Sequence, residues 1–309
     1  MPRGAPFRFL VRPIPPFRLD LTVWALRRRP RNHIDRWDGS TYRRVIRIGA
    51  QRIELAVRQT GAAAEPRVIV HAAPAPRSSS GRVRIEAILD RLLGLHVDVS
   101  RWYALAARDE RLRRLAERFR GVKPPRFPTI FEALVNAFAC QQLSLEAGLE
   151  LLNRLAMLAD RDVRVGPAKP VGFPTPRALA SLAPSRLRAL GFSRQKVRAL
   201  MDLACAITQC RLDLDALNGE SDDVVRQRLL ALRGVGRWTA EYVLLRGLGR
   251  LHVFPGDDVG AQKRLAQWLG RTRSLDYHGV QRAVEQSQPY AGMVYFHLLL
   301  DGLMQRGVF

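Results

Sequence analysis

Leu232-Arg233-Gly234-Val235-Gly236-Arg237-Trp238-Thr239-Ala240 is the stretch that decides the fold. Upstream of it, Ser221 to Leu232 carries Val224, Val225, Leu229 and Leu232 at helical spacing, with Ser221 and Asp222 as an N-cap region. Downstream, Ala240, Val243 and Leu244 line the inner side of a second helix. Two glycines one residue apart permit a tight turn with positive φ. Val235 between them packs down and fixes it. The pattern predicts a helix-hairpin-helix over 221–247. Glycines at a helix start leave backbone N–H groups open, and with the helix dipole these attract a phosphate. Such a contact reads no base, so the element would hold any DNA sequence by its backbone. An ordinary turn between two helices has the same requirements, so the hairpin needs its neighbours to be interpreted.

Those neighbours are mostly helical. Leu187-Arg188-Ala189-Leu190-Gly191-Phe192-Ser193 repeats the scheme of a leucine-rich helix end, a glycine turn and a new helix. Ile130, Leu134, Val135 and Phe138 form one helix face. Gln141-Gln142-Leu143-Ser144 interrupts before another helix from about Glu146 to Leu158. Ile85, Ile88, Leu89, Leu92 and Leu93, then Leu112, Leu115, Ala116 and Phe119, continue the helical period, and Lys123-Pro124-Pro125 breaks it. Gly166 to Pro176 reads as a loop. After the hairpin, Pro255-Gly256 makes a turn into Asp257-Asp258, and Val259 to Leu269 is a helix. An Asp before a helix is usually an N-cap. The dipole also favours its anion there.

The N-terminal part reads differently. Residues 1–16 are Pro- and Arg-rich and predict an irregular segment. Leu19, Leu21 and Val23, then Val45, Ile46, Ile48, Ile53, Leu55 and Val57, come in short alternating runs that predict half-buried antiparallel strands. Ala72 to Gly81 predicts a loop. The expected fold is α+β: a small antiparallel sheet domain with helices over 17–98, then a mainly helical core of two helical subdomains over 99–309.

Of the 309 residues, 51 are Lys or Arg against 28 Asp or Glu, a formal charge of +23 that favours a polyanionic partner. Lys123, Lys169, Lys196 and Lys263 are the only lysines. That arginine bias suits a codon preference, which leaves the excess over acids unexplained. Cys140, Cys205 and Cys210 make no CxxC pair and no disulfide framework, and their number excludes a four-cysteine iron–sulfur cluster within the chain. The histidines show no metal spacing. No apolar run approaches the ~20 residues of a membrane span, and the N-terminus lacks the apolar core of a signal peptide. The expectation is a cytoplasmic, nucleoid-associated protein without metal or cofactor.

Taken in order, Phe17-Arg18-Leu19-Asp20-Leu21-Thr22, Trp37-Asp38-Gly39, Phe131 through Ser144, Leu190 through Lys196, the hairpin and Val253 through Asp258 resemble the DNA-3-methyladenine glycosylase II family of the helix-hairpin-helix DNA glycosylase superfamily. The resemblance covers most of the chain. It implies base excision repair on double-stranded DNA containing alkylated bases, by base flipping, in a monomer. It makes Asp258 the catalytic acid and leaves Asp257 as a cap or turn residue. Gly234, Val235, Gly236, Arg237 and Thr239 would bind the DNA backbone. Trp238 and Tyr242, four apart on one helix face, would line a base pocket, where cation–π contacts favour cationic alkylpurines by about 0.5–2 kcal/mol. Core packing is the other reading of that pair. Tyr290 stands where related sequences carry Trp followed by Arg, but here Ala291-Gly292 follow it. Gln141, Gln142, Leu143 and Ser144 would form the DNA-inserting loop, with Gln142 or Leu143 entering the vacated stack. Bifunctional members carry a lysine two residues after the second glycine. Trp238 stands there, which implies a monofunctional enzyme that leaves an intact abasic site. The alternatives are a non-catalytic helix-hairpin-helix DNA-binding protein and an oxidised-base glycosylase/lyase.

Overall fold

The computed structural model describes residues 7–160 and 170–309. The start of the predicted 166–176 loop, up to Lys169, and residues 1–6 lie outside the described residues. Strands β1 (Phe7–Val11), β2 (Arg36–Trp37), β3 (Thr41–Ile48), β4 (Gln51–Thr60) and β5 (Arg67–Ala73) form one antiparallel sheet in the order β1-β5-β4-β3-β2. The sheet domain and the helical core match the expected α+β class. The inner face of the sheet buries Phe9, Val11, Ile53, Leu55, Val57, Val68 and Val70 against α1 (Leu19–Arg27) and α2 (Gly81–Leu93).

Two local expectations are corrected. Residues 7–11 are not irregular: they form β1, paired with β5 from Phe7↔Ala72 to Val11↔Val68. The prolines that suggested irregular chain fall outside the strand, Pro2 and Pro6 before it and Pro13, Pro15 and Pro16 after it, so none interrupts it. Leu19, Leu21 and Val23 lie in a helix, not in strands. Leu19, Val23 and Leu26 pack toward the sheet, whereas Leu21, Trp24 and Ala25 join a different apolar cluster. A helix buried on two sides is apolar nearly all round, and over nine residues its 3.6-residue period cannot be told from alternation.

The remaining helices are α3 (Ser100–Ala106), α4 (Glu110–Arg118), α5 (Ile130–Cys140), α6 (Leu145–Ala159), α7 (Pro176–Ala180), α8 (Pro184–Ala189) and α9 (Arg194–Thr208). They continue with α10 (Asp222–Leu230), α11 (Arg237–Val243), α12 (Val259–Trp268), α13 (Tyr277–Val284) and α14 (Ala291–Met304). One core joins α5, α6, α9, α10 and α11. A second joins α3, α4, α12, α14 and one side of α1. The hairpin belongs to the first and the helix after Asp258 to the second. Among the described residues no helix is long and apolar enough to cross a membrane.

Buried ion pairs tie the sheet to the helices. Arg44 on β3 is fully buried and donates to Asp35 and to Glu132 of α5. The Tyr42 hydroxyl donates to the same Asp35 at 2.7 Å. Burial pushes the Glu132 carboxyl up to about 7, against the pull of Arg44.

Candidate active site

The hairpin forms as its sequence dictates, but its two glycines do different work. Ser221 caps α10, its Oγ accepting from the Val224 N–H at 3.5 Å. Gly234 has φ +81°, and a Cβ there would lie 2.9 Å from the Ala199 Cβ. Val235 is buried in the core beside it. Gly236 caps α11 with φ −108°, and a Cβ there would meet nothing within 4 Å. Neither backbone strain nor internal packing demands a glycine at 236. Gly234→Ala is therefore expected to destabilise the fold by about 2 kcal/mol. Gly236→Ala should stay within about 0.5 kcal/mol of the parent. Urea unfolding of the two variants checks the contrast, and equal losses would refute it.

α11 holds the turn that carries the acids. The buried Glu241 accepts from the Gly256 N–H at 3.0 Å and from the Tyr277 hydroxyl at 2.7 Å. Burial raises the Glu241 carboxyl, and burial with the adjacent Glu241 pushes the Tyr277 phenol up to about 12. Asp258 then caps α12, one oxygen accepting from the Ala261 N–H at 2.8 Å. Its other oxygen accepts from the Tyr295 hydroxyl of α14 at 3.1 Å. Asp257 is more than a turn residue. It receives both nitrogens of an Arg237 fork, at 2.6 and 2.9 Å, and that guanidinium lies 3.8 Å over the Tyr277 ring. Arg237, expected on the DNA backbone, already has a carboxylate partner.

Trp238 and Tyr242 stack at 5.3 Å between centroids with a 33° interplanar angle. They are not equivalent. Trp238 is half-buried, and its Nε1–H has no acceptor among the described residues. Tyr242 is 2% exposed, so its ring is core. Its hydroxyl accepts from Arg28 Nη1 at 3.0 Å and donates to Asn136 Oδ1 at 3.0 Å. The Arg246 guanidinium stands 5.9 Å from its ring centroid. The cation over Tyr242 is thus supplied by the protein itself.

Arg246 sits in a π-helical turn, Leu244–Leu248, that follows α11. Fully buried, it donates to the Ala25 carbonyl at 3.1 Å and the Leu26 carbonyl at 3.3 Å. Those carbonyls close the last turn of α1, where a cation suits the dipole. Arg28 follows in a left-handed conformation, φ 62°, which delivers its guanidinium to Tyr242 and Asn136. Tyr290 is not brought to this group. It packs on Trp102, at 6.4 Å, in the other core.

The four loop residues also separate. Gln141 Nε2 donates to the Gly234 carbonyl and to Thr239 Oγ1, each at 2.8 Å, pinning the hairpin turn. Thr239, expected on the DNA backbone, is buried and occupied by that contact. Ser144 caps α6 through the Ala147 N–H at 3.2 Å. Lys196 closes the end of α5, donating to the Ala139 and Gln141 carbonyls at 3.1 and 2.7 Å. Gln142, at φ 55°, and Leu143, 45% exposed, project outward.

Arg28, Asn136, Glu241 and Tyr295 were not anticipated as site residues. Glu132 and Asn136, four apart in the otherwise apolar Ile130–Cys140 helix, were a readable signal that this face meets polar partners.

A family model described as HhH-GPD superfamily base excision DNA repair protein matches residues 135–289, half of the chain. DNA-3-methyladenine glycosylase 2 of Escherichia coli is 30% identical over 178 residues, 58% of this chain and 60% of that protein. A DNA-3-methyladenine glycosylase of Bacillus subtilis is 27% identical over 179 residues, covering 58% and 59%. The chain thus spans about three fifths of the length of these two curated relatives. Among solved structures, the 3-methyladenine DNA-glycosylase from Archaeoglobus fulgidus superposes with a TM-score of 0.83 at 23% identity, over 96% of this chain and 98% of that one, a likeness of fold.

Proposed function

The chain belongs to the HhH-GPD superfamily of base excision DNA repair proteins, and on that premise we propose that it is a monofunctional DNA glycosylase releasing alkylated purines, such as 3-methyladenine, from duplex DNA. The observation that carries this reading is the Asp258 carboxylate. It is set at the start of α12 by a turn that α11 itself holds, and a tryptophan occupies the hairpin position where a lyase needs an amine. The names of the E. coli and B. subtilis relatives support the substrate class.

In this mechanism the hairpin N–H groups take a DNA phosphate. The damaged nucleotide leaves the stack and its base lies against the half-buried Trp238 ring. The C1′–N bond breaks and its electron pair leaves with the base. Asp258 stabilises the positive charge growing on the sugar, and a water oxygen bonds to C1′ after losing a proton to the carboxylate or to solvent. Trp238 carries no nucleophile, so no Schiff base forms and the strand stays intact. The protein works as a monomer on cytoplasmic, nucleoid DNA.

Gly236 suits this use because its open side admits a phosphate oxygen. Gly236→Ala is expected to weaken duplex binding about tenfold, the loss of one charge-assisted contact. Gln142 is the residue assigned to the vacated stack. Gln142→Gly relieves a left-handed side chain, so thermal stability should hold or rise. Base release from duplex should fall about tenfold or more, and release from single strands should change little. Equal effects on both substrates would remove Gln142 from that role.

The reaction itself is tested on methylated duplex DNA. Free base is measured first, and the strand is then heated in alkali. The expected outcome is base release with breaks only after alkali. Breaks without alkali, or a borohydride-trapped protein–DNA adduct, would make the protein a lyase. Binding without release would make it a non-catalytic binder.

A further inference from the structure

The outer face of the sheet, turned away from α1 and α2, gathers basic side chains at its β1–β5–β4 end. Pairing places Arg8, His71, Ala56 and Arg43 in one row across four strands: Arg8↔His71, His71↔Ala56 and Ala56↔Arg43. The next row runs Leu10, Ile69, Arg58 and Thr41. Arg67 stands beyond it, opposite Thr60. Because alternate residues share a face, these side chains project to one side, above a groove of about 500 Å³ with Ala56 and Ile69 in its lining. Arg8, Arg58, Arg67 and His71 are all exposed. None of the four has a carboxylate partner among the described residues, and Arg43 lies 3.8 Å from Asp38.

Surface arginines elsewhere are of both kinds: Arg84, Arg101, Arg186 and Arg198 have no carboxylate partner among the described residues, and others are paired locally. Arg82, Arg113, Arg114, Arg120, Arg154 and Arg226 each sit on a carboxylate three or four residues away. Arg8, Arg58 and His71 line this groove with no carboxylate among its lining residues; Glu54, one row away on the same face, is taken up by Arg36.

We infer that this face is a second DNA-binding surface, which grips the phosphate backbone of a duplex other than the one held at the hairpin. Arg8 and Arg43 stand three strands, about 14 Å, apart in one row, with His71 beside Arg8 and Arg58 in the next row, a spread of cations suited to several phosphates of one backbone. Between the basic groups the lining is short and partly apolar, and a contact made to phosphates carries no sequence preference. α1 lies between this sheet and the hairpin helix, packing on the one and bonded to the other. One duplex held at the hairpin therefore leaves the outer sheet face free for another. The inference goes beyond the proposed glycosylase activity and needs no catalytic step.

The test uses the full chain and the triple variant Arg8→Gln/Arg58→Gln/Arg67→Gln. Protein is loaded on an immobilised short duplex, and capture of a second, labelled, undamaged duplex is measured across a salt series. The parent is expected to capture it, with the salt slope of a multi-phosphate contact. The triple variant should lose capture tenfold or more and flatten that slope, while first-duplex binding and single-turnover base release from a short methylated duplex stay at parental values. Unchanged capture by the variant overturns the inference. So does a polyglutamate chain that competes as well as DNA of equal charge, which would make the partner an acidic protein. Absence of base release in every sample, with capture intact and sensitive to the variant, would sink the glycosylase reading and leave this one standing.

Discussion

Asp258→Asn is expected to fold, to bind damaged duplex like the parent, and to release base at least about 100-fold more slowly. The side chain has two tasks that this change separates. One oxygen caps α12 by accepting from the Ala261 N–H at 2.8 Å. Asparagine caps a helix about as well as aspartate, so that contact survives. The negative charge does not survive, and it is the charge that opposes the developing oxocarbenium ion. Asp258→Ala would confuse the two tasks by also removing the cap, a loss of about 1 kcal/mol. The measurement is single-turnover release from methylated duplex at saturating protein, beside an unfolding curve. Release by Asp258→Asn at the parental rate would show that Asp258 is a cap and nothing more.

Arg44→Met is expected to remove about 3–5 kcal/mol of stability at pH 8. Arg44 is the single guanidinium shared by two buried carboxylates, Asp35 and Glu132. Its loss leaves both anions in the interior with the Tyr42 hydroxyl as a remaining donor on Asp35. The pH dependence follows from Glu132. Its folded-state value of about 7 lies above the ~4.3 of an unfolded glutamate. The folded form therefore binds this proton more tightly, and the associated stability is present below about pH 4 and lost as pH rises toward 7. In Arg44→Met the buried Glu132 carboxyl, freed of the pull of Arg44, holds its proton still more tightly, so the deficit should shrink markedly at pH 5.5. Urea unfolding at the two pH values checks this. An equal deficit at both would assign the effect to packing of the arginine stem.

The parts of the fold that were legible are those in which one face is buried and the other wet. β4 alternates openly, and the hairpin is marked by glycines between two helices. α1 was illegible because two cores claim opposite sides of it. β1 was hidden by the prolines on both sides of it. The same division holds at the site. Asp258 and Trp238 were readable because turn, cap and hairpin lie close together in the chain. The Arg28–Tyr242 bond spans 214 positions, so no local pattern announces it. Tyr290 was singled out by resemblance, as the position where related sequences carry Trp, whereas the tyrosine that hydrogen-bonds Asp258 is Tyr295.

The arginine that leaves the π-helical turn has a consequence for how the molecule comes apart. Arg246 binds the last carbonyls of α1, and Arg28 just beyond binds the hairpin helix in return. Opening either contact strands a buried guanidinium, so neither element can loosen alone at low cost. The sheet layer and the hairpin consequently share one cooperative unit. Amide exchange in α1 and in α11 should rise together as that unit opens. A cut placed after residue 28 would not free an independent catalytic core but would leave Arg246 and Tyr242 facing an unfilled wall.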